Sequence, residues 1–150
     1  MTTVEKLAEF VTAQNQIYDQ VRQELASGRK KSHWIWFIFP QMHGLGSSVM
    51  SQKFGIASID EARAYLQHNV LGPRLRECTR LMLAVPHQDV AAVLDHPDDL
   101  KFHSSMTLFA LAAQEELMFQ TALDKFFNDE RDGKTITLLG QATTWQTKPR

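Results

Sequence analysis

Cysteine is nearly absent from this chain: Cys78 stands alone among 150 residues. A single thiol excludes an internal disulfide and a cysteine-built metal cluster. Its place in a helical pattern favours a buried structural thiol, with a nucleophile as the other reading. Excess charge of either sign is missing as well, since 16 Lys and Arg meet 17 Asp and Glu for a formal net charge of −1. That balance removes any general attraction to nucleic acid or to an anionic membrane, and leaves room only for a local basic patch. No apolar run approaches the ~20 residues that span a bilayer. The first thirty residues also lack the apolar core of a secretory leader. A cytoplasmic protein is therefore expected. None of the six histidines is spaced as His-x-x-His or His-x-x-x-His, so neither a metal site nor a cofactor is expected. A nucleoside-triphosphate loop and a Gly-x-Ser-x-Gly elbow are lacking too.

What the chain has instead is one dense aromatic segment. Residues 31–48 hold two of the three tryptophans, two of the nine phenylalanines and two of the six histidines. Bulky apolar residues run unbroken from Trp34 to Phe39 before the chain turns polar and glycine-rich. Such a segment belongs at the centre of the core, and it draws His33, Gln41 and His43 towards the interior. Residues 33–39 read as a short helix or an extended buried segment, because no other stretch alternates well enough to partner a strand. Pro40 ends it.

The remainder reads as helices. Val4, Leu7, Val11, Tyr18, Val21 and Leu25 recur at three- and four-residue steps, which predicts one helix over 3–27. Gln14 sits in that stripe, either as a core amide or facing a ligand cavity. Gly28 stops the helix, and Arg29, Lys30 and Lys31 follow, to steady its negative end or to bind phosphate. Ser58 and Glu61 form a capping box that opens a helix to about residue 68. Further helices are expected over 73–84, 88–94, 99–113 and 114–127, with a short element at 135–139. The helix over 99–113 is apolar round much of its circumference and should be central. With no repeat or linker, the whole chain reads as one mainly α-helical domain, its core about 3–140 and residues 141–150 loosely anchored.

Several polar groups are candidates for a site. The faces of Trp34 and Trp36, the amides of Gln14 and Gln41, and the imidazoles of His33 and His43 suit a planar, hydrogen-bonding ligand. Lys101, His103, Ser104 and Ser105 would add phosphate or ribose contacts. Gly44-Leu-Gly46-Ser-Ser is a cradle for an anion, with Lys53 nearby, or an ordinary glycine turn. Asp99 and Asp132, in turns or at a helix start, are with His33 the candidates for catalysis; the competing reading makes such aspartates caps. Together these groups predict a cleft with residues 33–46 on one wall and Lys101 to Ser105 opposite, binding a small nucleotide-like or phosphorylated ligand. The rival reading is a structural or protein-interaction domain whose polar residues are satisfied core groups. Single-stranded nucleic acid would need a basic groove that the composition does not supply. Nothing in the sequence indicates an oligomeric state.

The string Gly28-Arg-Lys-Lys-Ser-His33-Trp34-Ile-Trp36-Phe-Ile-Phe39-Pro40-Gln41, followed by Gly44-Leu-Gly46, resembles the signature of a bacterial domain family of unknown function, number 1810. Ala13-Gln14, Tyr65-Leu66, Leu71-Gly72-Pro73-Arg74-Leu75, Lys101 to Phe109 and Asp132-Gly-Lys-Thr135 resemble its other hallmarks. The resemblance covers roughly residues 5–140 and implies a compact α-helical domain without an established activity. Some members carry a calpastatin-like label, which a compact aromatic chain does not match. A looser similarity, through Leu71, Gly72, Leu75 and Arg80, is to helical ADP-ribose glycosidase-like domains. There the order of motifs differs and acidic residues are not matched. That similarity implies cleavage of an N-glycosidic bond, with a carboxylate steadying an oxocarbenium-like transition state.

Overall fold

The structure, a computed structural model, describes residues 1–147, with side chains described through residue 141. Ten helices account for most of these residues: α1 (Thr3–Asn15), α2 (Tyr18–Ala26), α3 (Ile35–Ile38), α4 (Val49–Lys53), α5 (Ile59–Gln67), α6 (Leu71–Leu83), α7 (Val90–Leu94), α8 (Asp98–Ala112), α9 (Leu117–Phe127) and α10 (Gly133–Thr147). Among the described residues no strand forms, and a single parallel bridge pairs Met42 with Ile56. The mainly helical domain expected from the sequence is what folds. No helix among these residues is long and apolar enough to cross a membrane.

The single helix expected over 3–27 is instead two. Ile17 leaves the helical region at φ −139°, and its N–H closes a tight turn on the Gln14 carbonyl. No glycine or proline marks the break. Before it, Gln14 is anchored on the Phe37 carbonyl at 2.7 Å and the Tyr65 hydroxyl at 3.0 Å; after it, Tyr18 reaches Glu77 on α6. The buried stripe also differs from expectation: Val4 is 79% exposed, whereas Phe10 is fully enclosed.

Gly28 ends α2 as expected, at φ +80°, where a residue without Cβ is unstrained. Two of the three cations that follow are engaged in structure, while the Lys31 side chain is exposed. Arg29 holds Asp95 bidentately at 2.7 and 3.1 Å. Lys30, only 7% exposed, donates its backbone N–H to the Val93 carbonyl and places Nζ 2.9 Å from Asp98. The end of α2 is thereby tied to α7 and the start of α8.

The aromatic segment makes one helical turn, α3, which settles the alternatives for residues 34–39. It inserts Trp34, Ile35, Ile38 and Phe39 into the core. Phe39 meets Phe102 of α8 edge-on at 4.8 Å between ring centroids. A chain of rings extends from there, through Phe126 on one side, with Tyr65, Phe109 and Phe119 in a second row. The central helix α8 packs against α3, α5, α7, α9 and α10.

Several local features differ from expectation. Helix α6 starts at Leu71, so Pro73 lies in the first turn, where its missing N–H would have been unpaired anyway. Ser58 caps α5 through the Glu61 N–H at 3.1 Å, but the Glu61 carboxylate turns to the Ala57 N–H and to Lys6 rather than closing the box. The last element is a fifteen-residue helix, not a short one. Its start is fixed by Asp132, whose carboxylate accepts the Thr135 N–H at 3.0 Å. The expectation of a loosely anchored tail falls on side chains outside the described residues.

Candidate functional site

A cleft of about 950 Å³ opens between the loop after Pro40 and the first turns of α8 and α10. The loop is pinned at both ends, because the His43 N–H donates to the Ile56 carbonyl at 2.8 Å and the Ile56 N–H to the Gln41 carbonyl at 2.9 Å. Within it, a Cβ on Gly46 would lie 2.5 Å from the Ser51 hydroxyl and 3.8 Å from the Gln41 amide nitrogen. The bare glycine is what lets these two groups converge.

Gln41 is only 9% exposed. It lines the cleft, and its side-chain amide has no hydrogen-bond partner among the described residues. Ser48 Oγ accepts the Ser51 N–H at 3.1 Å and donates to Ser51 Oγ at 3.0 Å. The Ser51 hydroxyl proton is therefore left for another acceptor. The backbone N–H groups of Gly46, Ser47 and Ser48 also lack a protein acceptor among the described residues.

The facing wall carries Lys101 and Ser104 from α8 with Asp132 and Lys134 at the start of α10. Asp132 is held from several sides. Its Oδ2 accepts the Ser104 hydroxyl at 3.2 Å, the Thr135 N–H at 3.0 Å and the Thr135 hydroxyl at 2.6 Å. Its own N–H donates to Thr107 Oγ1 at 2.9 Å. Lys101 stands 3.6 Å from Asp98, a loose pairing that leaves its ammonium available. His103 stacks on Phe127 at 4.0 Å and donates from Nε2 to the Glu130 carbonyl at 2.7 Å, which fixes its tautomer.

From the candidates the cleft thus gathers Gln41, the Gly44–Ser48 loop, Lys101, His103, Ser104 and Asp132, and leaves the others outside. Gln14 is a satisfied core amide, as one of its two readings held. Trp34 is fully buried with its indole N–H on Glu24 at 2.9 Å, so it presents no face to a ligand. Trp36 is half-buried against the core and off the cleft. His33 and His43 are exposed, contrary to the expectation that they point inward. His33 lies in the bend before α3, and the backbone of His43 is held against Gly55. Ser105 is enclosed, with its hydroxyl unpartnered. Asp99 pairs with His96 at 3.0 Å, and Lys53 faces Glu9 at 3.9 Å; neither lines the cleft. Cys78 is fully buried, and burial pushes its thiol up to about 12, in keeping with the structural reading. Lys134 and Ser51 were missed by residue-level reasoning. The signal for Lys134 was the Asp132-Gly-Lys-Thr135 string.

A second groove, of about 830 Å³, runs beside α2 and α6 past Asn15, Gln20, Glu24 and Arg74. Its buried polar group, Glu24, already accepts hydrogen bonds from Gln20, Lys31, Ser32 and Trp34. That carboxylate awaits no further partner.

Residues 4–139 match the model of a family described as a protein of unknown function, DUF1810. The chain belongs to that family. It is similar to a solved structure, the conserved hypothetical protein Rv1873 from Mycobacterium tuberculosis. The two are 48% identical, the match covers 89% of this chain and 96% of that one, and the TM-score is 0.88. No curated protein matches the chain. Neither match is to an ADP-ribose glycosidase.

Proposed function

We propose that this member of the DUF1810 family binds a small phosphorylated, nucleotide-like ligand in the cleft between the Gln41–Ser51 loop and the starts of α8 and α10. The observation that supports this reading is the Gln41 amide, buried at 9% exposure on the cleft wall and unpartnered among the described residues. The amide opens onto the cleft, so an acceptor brought by a ligand would take the place of water there. The groups around it are donors: the Ser51 hydroxyl, the N–H groups of residues 46–48, and the ammonium ions of Lys101 and Lys134. A donor-rich cradle selects an anion with several acceptor oxygens, as a phosphate has.

Thermal denaturation with inorganic phosphate, AMP and ADP-ribose tests the reading. At a hundredfold excess over Kd a ligand adds about 2.7 kcal/mol to stability, enough to raise Tm by several degrees. Gln41→Ala and Lys134→Ala are each expected to weaken binding about tenfold, the loss of one charge-assisted hydrogen bond. Absence of a Tm rise with every compound would sink the proposal. N-glycosidic hydrolysis at this cleft would fall to Asp132, the carboxylate on its wall, as the group that steadies developing positive charge. Chromatography after incubation with AMP or ADP-ribose separates released base from intact ligand.

The rival, a structural or interaction domain, is favoured by the satisfied state of Gln14, Lys30 and Trp34. It predicts no ligand-dependent stabilisation.

A further inference from the structure

We infer that the phosphate bound in this cleft is carried on a sugar, one of whose hydroxyls donates to Asp132, so that the ligand class is a sugar phosphate. The inference rests on the reading of the cleft as a phosphate site and names what else the ligand must present. Its starting point is the asymmetry of the Asp132 carboxylate. Three donors converge on Oδ2, from Ser104 at 3.2 Å and from the Thr135 N–H and hydroxyl at 3.0 and 2.6 Å. Oδ1 has no partner among the described residues. A helix cap needs one acceptor oxygen, and Oδ2 performs that task.

The remaining oxygen belongs to a group lining the same cleft as the unpartnered Gln41 amide. An acceptor that is already ionised repels a phosphate and attracts a hydroxyl. The two walls therefore ask for opposite things: acceptor oxygens at the Gly46–Ser51 loop and a donor at Asp132. A phosphate ester of a polyol meets both demands with separate groups; a simple alkyl phosphate dianion has no donor to offer, and inorganic phosphate has only its own P–OH. The donors on Oδ2, together with the bond from the Asp132 N–H to Thr107 at 2.9 Å, hold the carboxylate in place before any ligand arrives. Little ordering is then left to oppose binding. The purine or pyrimidine of a nucleotide has no comparable partner, since Trp34 is enclosed and Trp36 lies off the cleft. The base is therefore dispensable.

Isothermal titration of the full chain with D-ribose 5-phosphate, n-propyl phosphate and inorganic phosphate tests the inference. Ribose 5-phosphate is expected to bind about tenfold or more tightly than propyl phosphate. In Asp132→Asn that advantage should fall below about threefold, while propyl phosphate affinity holds or rises, because the like charge is gone. If that variant does not fold, the comparison of the two esters on the unaltered protein still decides. Equal affinity for the two esters would overturn the sugar but leave the phosphate reading intact. Failure of all three probes to bind would remove the phosphate reading and this inference with it.

Discussion

Glu24→Ala is expected to lower the free energy of unfolding by about 3–4 kcal/mol. The carboxylate is 5% exposed and saturated. Oε1 accepts the Lys31 N–H at 2.8 Å, the Ser32 N–H at 3.0 Å and the Trp34 indole N–H at 2.9 Å. Oε2 accepts the Gln20 amide at 2.9 Å and the Ser32 hydroxyl at 2.7 Å. Alanine leaves two backbone donors and an enclosed indole without an acceptor. It also frees the segment that delivers Trp34 to the core. Burial alone would raise the acid's pKa, but the hydrogen bonds from Lys31, Ser32, Trp34 and Gln20 outweigh it and hold the group at about 2, below its ordinary 4.5. The pH dependence follows from that sign. A depressed folded-state pKa contributes stability that is complete above 4.5 and is lost as pH falls towards 2. The contribution is about 2–3 kcal/mol once the solvent reaching the Gln20 side is allowed for. Glu24→Gln keeps the shape and removes the titration. Urea denaturation at pH 7 and pH 3 should show the gap between parent and Glu24→Gln narrowing at the lower pH. A gap equal at both values would refute this account.

Glu24 also shows where sequence reading stops. Gly28 as a helix stop, the Ser58 cap and the apolar circumference of α8 are local chemistry, and each was legible from residue spacing. The break at Ile17 was not. No glycine or proline marks it, and the residues on either side of it, Gln14 and Tyr18, find partners more than twenty residues away. The polar residues flanking the aromatic segment posed the same problem. In sequence, Gln14 and Gln41 are both glutamines beside apolar residues. Only the folded chain distinguishes them, since Gln14 meets Phe37 and Tyr65 and Gln41 meets a cleft. His33 misled for a related reason: it lies in the bend before α3, where its side chain reaches solvent although the next residue, Trp34, is fully buried. Opposing walls over residues 33–46 and Lys101 to Ser105 were foreseen, although only Gln41 and residues 44–46 of the first and Lys101, His103 and Ser104 of the second line the cleft. The contribution of α10 through Lys134 was not foreseen, because a solvent-facing lysine carries no periodicity signal.

Gly72→Ala should produce the other large loss, about 3 kcal/mol, although alanine for glycine inside a helix ordinarily gains about 1 kcal/mol. The site reverses that sign. Gly72 is buried in the first turn of α6, where the chain doubles back from the end of α5. A Cβ there would stand well inside contact distance of the Leu66 carbonyl oxygen, 3.0 Å from the carbonyl carbon and 2.7 Å from Arg76 Nη1. The guanidinium could swing aside, but at a price, because it holds Glu116 at 2.8 and 2.6 Å and so links α6 to the start of α9. The backbone carbonyl cannot move without shifting the end of α5. Most of the loss should therefore persist when Gly72→Ala is made in an Arg76→Ala background. Gly140, within α10, supplies the control, since a Cβ added there meets nothing within 4 Å. Gly140→Ala should gain about 0.5–1 kcal/mol by propensity alone. Denaturant midpoints moving in opposite directions for the two alanine variants are expected. Movement in the same direction would mean that the approach of Leu66 does not constrain residue 72.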